Sequence, residues 1–353
     1  MNDGATTDGQ KWNEVALTPG VPDSHAPSFG TPDMPGPEIV GPDLISPALN
    51  ENDAAFDASP PSAFHSDASH PFTAELPSFT RLTPVYRTPN LADALLFLLM
   101  LVVGFLATAA AASLAAHYHL FGLRNMAQAQ SDTRLALATQ ALLYGVALAC
   151  AIPFFRMAWG KGLLDGLHWH GATAKRLRFR LLGTAVVCNV IAMLGNAVLP
   201  FPQHAPIDKM FSTSTDAWLL MAFGITVAPF FEEMAFRGFL LPAMATAWDW
   251  CSERLTRRLP RTLDAEGNPR WSLGAMIFAA LTVSAPFALM HAEQVGNAWG
   301  PVLLLYCVSL ILCTVRLATR SLAASTLVHA SYNFMLFAVM FAETDGFRHL
   351  DKM

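Results

Sequence analysis

The chain has 353 residues, 53% of them hydrophobic and only 14% charged, with a formal net charge of −5. Soluble globular proteins carry about 25% charged residues, so this composition describes a membrane protein. The charge and the lack of a basic stretch interleaved with aromatics exclude a nucleic-acid binder. Five cysteines, an odd number with no Cys-x-x-Cys, exclude a secreted disulfide framework and read as small core residues.

Residues 1–88 hold 13 of the 24 prolines and 12 acids against three bases (Lys11, Arg81, Arg87). With isolated aromatics such as Trp12, Phe29 and Phe56 and no sustained period, this stretch cannot bury enough apolar surface to offset the entropy of ordering, and a disordered Pro-rich N-terminal tail is expected. No secretory signal peptide opens the chain, so insertion is expected to use an internal segment. The short Pro-Glu-Ile-Val run at 37–40 could dock a partner.

From about residue 92 the chain turns apolar. A bilayer crossing needs roughly 20 residues, and seven spans are expected near 92–116, 135–155, 179–199, 215–247, 271–291, 300–316 and 321–341. The fold class is therefore an all-α polytopic transmembrane helix bundle over 89–353, with about seven spans, or eight if one re-entrant segment is missed. The fourth span is longer than one crossing requires and contains Pro229, which predicts a tilted, kinked or two-part helix. Segment 248–270, with Arg254, Arg257, Arg258 and Arg261, reads as a basic interfacial helix followed by a turn.

Fifteen Lys and Arg residues flank the spans on the side of the N-terminus and five on the other. Cations concentrate on the cytoplasmic side, so the expected orientation is N-terminus in and C-terminus out, in the cell membrane. The pair His117 and His119 falls on the opposite face of the bilayer from the pair His168 and His170 in that topology, so the pairs cannot share one metal ion, and both read as interfacial anchors, as do Trp159, Trp169, Trp248, Trp250, Trp271 and Trp299. Asn189 and Asn196 could cap a cavity or pair with neighbouring helices.

An ionisable residue within a span costs roughly 2.5–3.5 kcal/mol at the bilayer centre, so each needs a cause. The fourth span holds Glu232, Glu233 and Arg237; the fifth ends in His291; the seventh carries His329. Glu233 and Arg237 are four apart, acid first, the favourable order for a helical ion pair. Glu232 points about 100° away around the same helix, free to face something else. His329 and Asn333 share a face, and Phe287 is placed to pack beside His291 one turn on. Glu232, His291, His329 and Asn333 together offer a general base, two imidazoles and an amide from three helices.

Glu232-Glu233-Met-Ala-Phe-Arg237-Gly238 fits EExxxR(G), Phe287-Ala-Leu-Met-His291 fits FxxxH, and His329-Ala-Ser-Tyr-Asn333 fits HxxxN, in that order. The chain resembles the CPBP intramembrane proteases, which include type II CAAX prenyl endopeptidases, lysostaphin-resistance-type immunity proteins and their Abi relatives, over about 180–341. The resemblance implies hydrolysis of a peptide bond of a membrane-associated peptide or protein substrate, with the lipid bilayer as the other partner. It implies that Glu232 and His291 activate water, that His329 and Asn333 stabilise the oxyanion, and that Glu233, Arg237 and Phe287 support the site. Metal-dependent and metal-free descriptions of the family both stand; Glu232, His291 and His329 would be the ligands of a Zn²⁺ with water in the open position.

This chain departs from the family in two respects. Prenyl proteases often carry Asn four places after the second-motif His, where Val295 stands here with Asn297 two further on, and the stretch between Glu233 and His291 is long. Two other functions fit the same residues: a non-catalytic membrane scaffold or immunity protein, and an ion or proton relay. Transporters are often built from inverted repeats, and none is evident.

Overall fold

A computed structural model describes residues 88–120, 132–202, 204–257 and 270–352. All but one of the residues expected to form the N-terminal tail, and 258–269 after the fourth span, lie outside that set. Among the described residues there is no strand, and seven helices are long and apolar enough to cross a membrane. They are α1 (Leu91–His117), α2 (Thr133–Trp159), α4 (Gly171–Val198), the composite Ser214–Thr256, α8 (Leu273–Met290), α9 (Trp299–Thr319) and α10 (Leu322–Glu343); α3 (Leu163–Gly166) is a single turn between α2 and α4. The architecture is the expected all-α polytopic bundle, because in hydrocarbon only a helix or a closed barrel satisfies every backbone group internally.

Local chemistry sets the helix ends. Asn90 caps α1, accepting from the amides of Ala92 and Asp93, while the Asp93 carboxylate returns a bond to the Asn90 amide. Asp132, Ser272 and Ser321 cap α2, α8 and α10 through side-chain oxygens. Helix α4 starts at Gly171, eight residues before the expected edge, because Lys175, Arg176, Arg178 and Arg180 are good helix formers even where they are too polar for hydrocarbon.

The fourth span is the two-part element that Pro229 foretold. Helix α5 (Ser214–Ile225) ends at Thr226, whose φ of −121° and ψ of −72° leave the helical region; α6 (Val227–Glu233) then restarts with Pro229 in its first turn, where no amide proton is needed. A π-helical segment, Met234–Leu240, follows and leads into α7 (Leu241–Thr256). Pro242 cannot donate to the carbonyl four residues back, which favours the wider turn there. Residues 248–256 continue this helix rather than forming a separate interfacial one.

Three apolar clusters hold the bundle. Phe97, Ala147, Ala151, Phe155, Phe231, Met234 and Phe239 join α1 and α2 to α6 and the π segment. Leu181, Ala185, Leu312, Ala324 and Val328 join α4, α9 and α10. Leu241, Ala245, Ala275, Ala279 and Val283 join α7 to α8. Small residues set the approach of helices in lipid, where no hydrophobic force drives them together. A Cβ on Gly104 of α1 would stand 2.8 Å from the Leu143 carbonyl of α2. Outward faces stay apolar, as with Leu95, Leu99, Phe105 and Leu106 on α1.

Candidate active site

The restart at Thr226 positions the site. It starts a new helix seven residues long whose last two residues, Glu232 and Glu233, face the ends and midpoints of three neighbours. Glu233 and Arg237 are both fully buried and pair at 2.9 Å (Arg237 Nη1 to Glu233 Oε1), as their spacing predicted. Sequence reasoning missed their partners. Arg237 Nη2 donates to the carbonyl of Ser309 at 3.1 Å and its hydroxyl at 2.7 Å, and the guanidinium lies 4.4 Å from the centroid of the Phe287 ring. A buried ion pair holds only when further bonds offset its lost hydration, and α9 and α8 supply them. The only signal was a lone serine inside the apolar run of the sixth span.

Glu232 turns the other way. Its Oε2 lies 3.9 Å from His291 Nε2 and 3.7 Å from His329 Nε2, so three residues from α6, the end of α8 and α10 converge. Phe287 packs against both imidazoles, with ring centroids 5.0 Å from His291 and 5.8 Å from His329.

The other ring nitrogens fix the tautomers. His291 Nδ1 lies 2.8 Å from the Phe287 carbonyl, and His329 Nδ1 lies 3.0 Å from Glu233 Oε1, both acceptors, so each Nδ1 carries a proton. Both Nε2 atoms therefore face the Glu232 carboxylate. A water, a proton or a cation between these three atoms would bridge the carboxylate and the imidazoles.

Asn333 shares the cavity wall with Glu232, His291 and His329, but its Nδ2 also donates to the Gly224 carbonyl at 2.8 Å, tying α10 to the end of α5. One N–H of the amide remains for another acceptor. Val295 lines the same cavity, whereas Asn297 sits in a left-handed turn (φ 56°) with its amide on the Ala292 carbonyl at 2.7 Å and is not among the wall residues.

Two cavities meet at Glu232. One, of about 400 Å³, contains the histidines and Asn333. The other, of about 290 Å³, is an apolar groove between α1 and α6 walled by Leu91, Leu95 and Leu98 of α1, with Tyr144 and Phe231 opposite. Tyr144 stacks on Phe231 with centroids 3.8 Å apart, and Gln140 Nε2 donates to its hydroxyl at 2.8 Å. The four-residue spacing of Gln140 and Tyr144 on the second span was the available sign.

The donor types, two neutral imidazoles and a carboxylate, suit zinc, and each imidazole has the acceptor on its far nitrogen that metal-bound histidines use. Zinc bonds of roughly 2.0–2.2 Å would draw these donors closer than they stand, and among the described residues no three His, Cys, Asp or Glu side chains form a ready metal set.

Elsewhere, Asn189 pairs with neighbours: its Nδ2 donates to the Ala185 carbonyl at 3.0 Å and reaches the Tyr332 carbonyl at 3.3 Å. The five cysteines are free, with Cys188 and Cys313 buried and Cys251 exposed, so the reading as core residues does not extend to Cys251. His168, read from the sequence as an interfacial anchor, lines a polar cavity.

No curated protein and no solved structure matches the chain significantly. Residues 214–335 match the family model of the Rce1-like type II CAAX prenyl endopeptidases, a stretch that begins with α5 and runs past Asn333. All three motifs lie inside it, as does the break that presents Glu232, and the match implies a protease acting on a peptide or protein at the membrane. The chain is a multi-pass membrane protein whose residues 214–335 are similar to the Rce1-like type II CAAX prenyl endopeptidase domain.

Proposed function

We propose that the protein is an intramembrane endopeptidase in which Glu232 activates a water molecule. The observation that carries this reading is the convergence of Glu232 Oε2 with the Nε2 atoms of His291 and His329, where two cavities meet. A water in that gap donates one O–H to the carboxylate and the other to an imidazole, which turns its own lone pair toward an incoming carbonyl carbon. Glu232 takes the proton as the C–O bond forms.

His329 serves the developing oxyanion with a proton on Nε2 while His291 accepts from the water, and Glu233 behind its Nδ1 stabilises that charge, as a buried carboxylate does behind a catalytic histidine. The remaining N–H of Asn333 is a second donor. Collapse of the tetrahedral intermediate expels the amine, which collects the proton held by Glu232 or an imidazole. Glu233 and Arg237 position His329. If a metal takes part, Glu232, His291 and His329 would hold it, and it would supply Lewis-acid polarisation of the water or carbonyl.

The apolar groove beside Glu232 favours a substrate with a large hydrocarbon side chain or lipid substituent entering between α1 and α6. Val295 in place of the amide common in prenyl proteases argues that the residues around the scissile bond differ from those of prenylated CAAX substrates.

The test is cleavage of quenched-fluorescent peptides, lipid-modified and plain, by detergent-purified wild type and Glu232→Gln, each with and without 1,10-phenanthroline. Wild-type turnover lost in the variant supports the base, and chelator sensitivity then assigns a metal. Equal turnover by the variant removes Glu232 from that role. A fold-preserving Glu232→Gln change that leaves the protein's biological activity intact would favour a scaffold.

A further inference from the structure

A second polar cavity, of about 170 Å³, shares no wall residue with the Glu232 site. His168 in the loop before α4, Arg270 and Trp271 ahead of α8, and Arg316 and Arg320 at the end of α9 form its polar wall. Among the described residues that wall carries no carboxylate. Drug-sized ligand pockets begin at roughly 300 Å³, so the space suits a small group.

Arg316 is the reason to expect an occupant. Only 5% of its surface is exposed, yet its Nε has no hydrogen-bond partner and its Nη2 reaches only the Leu167 carbonyl, at 3.4 Å. A guanidinium presents five donors in a fork that matches the paired oxygens of carboxylate or phosphate. Arg237, equally buried, also leaves its Nε without a partner, but its two terminal nitrogens meet a carboxylate, a hydroxyl and a carbonyl. Cations in the last turn of a helix also complement its dipole. That role does not explain why Arg316 leaves its own helix terminus for a carbonyl before α4.

The wall is braced independently of any ligand. The Leu322 amide donates to the His168 carbonyl at 3.0 Å and Ser321 Oγ to the His170 carbonyl at 3.0 Å, fixing the loop to the α9–α10 turn. Trp271 Nε1 donates to Thr246 Oγ1 at 3.1 Å, and the Ser272 amide to Asp249 at 2.8 Å, fixing the entrance of α8 to α7. Burial first, then Arg316, His170, Lys161 and Arg320, push His168 down to about 4. The imidazole is thus neutral near pH 7, and the surrounding field is positive.

We propose that this cavity binds a phosphate-type anion, the phosphodiester of an acidic lipid headgroup or a soluble phosphate, gripped by the Arg316 fork with Arg270 and Arg320 at its mouth. The site is distinct from the proteolytic one and does not depend on it.

The test measures binding to the full chain in neutral detergent by native mass spectrometry and thermal melting, with phosphatidylglycerol, phosphatidylcholine and inorganic phosphate as probes. Phosphatidylglycerol is expected to bind at one tight site and raise the melting midpoint, phosphatidylcholine to do neither. Arg316→Gln is expected to weaken that binding by roughly tenfold or more, while Arg178→Gln, on the exposed face of α4, leaves it unchanged. Should Arg316→Gln fail to fold, Arg270→Gln at the exposed mouth must still weaken binding. Displacement of the lipid by inorganic phosphate would assign a soluble anion; its failure to compete would assign the lipid. Absence of a tight site for both anions, or affinity unchanged in Arg316→Gln and Arg270→Gln, would overturn the proposal.

Discussion

Arg237 and Arg316 are both buried arginines, and their surroundings differ in one respect. Around Arg237 the chain supplies its own counter-ion, Glu233, together with Ser309, the Phe287 face and, through Glu233, His329. Around Arg316 it supplies one long bond to a carbonyl and, beyond bonding distance, the charge of the same Glu233 that Arg237 already engages. A buried charge that the protein balances itself belongs to the scaffold, and removing its partner is costly; a buried charge left with spare donors calls for a ligand. Glu232 and Glu233 divide in the same way, since Glu233 is closed in by an arginine and a histidine while Glu232 faces two imidazoles and two cavities.

The largest effect should come from opening the balanced network. Glu233→Ala leaves Arg237 buried without its counter-ion, a loss of about 3–5 kcal/mol for such pairs, so the purified variant should melt far below wild type or fail to fold. Glu232→Gln should separate function from stability, with cleavage reduced by about 10²–10⁴-fold, the usual contribution of a general base, and a melting midpoint near wild type. A large fall in that midpoint would mean that Glu232 belongs to the scaffold as Glu233 does.

A smaller effect concerns pH and the loop beside Arg316. His168, pushed down to about 4 from its ordinary 6.5, stays unprotonated in the folded chain where the unfolded chain takes a proton. Stability from this group is therefore complete above about pH 6.5 and declines as pH falls toward 4. Melting midpoints measured from pH 7.5 to 4.5 should drop less for His168→Asn than for wild type. The groups facing it, Lys161, His170, Arg316 and Arg320, are cations or a second histidine, so none reverses the sign. Asn189→Ala should have the smallest effect, about 0.6 kcal/mol, the average for interhelical polar contacts in lipid, read as a slight lowering of the melting midpoint.

Much of this molecule was legible from its sequence. Seven runs long enough to span a bilayer became seven helices, because hydrocarbon leaves the backbone no other solution. The ion pair was legible because residues four apart on a helix share a face, and the break near Pro229 because proline limits where a helix can continue. These are properties of nearest neighbours along the chain. Tertiary structure alone decided that Glu232 meets His291 and His329, that Glu233 orients one of those histidines, that Ser309 completes the arginine's bonds, and that His168 joins three arginines in a cavity. Helix periodicity says which way a side chain points from its own axis. Which helix lies there depends on close contacts such as Gly104 against Leu143, made between residues far apart in sequence and set by shape rather than by hydropathy.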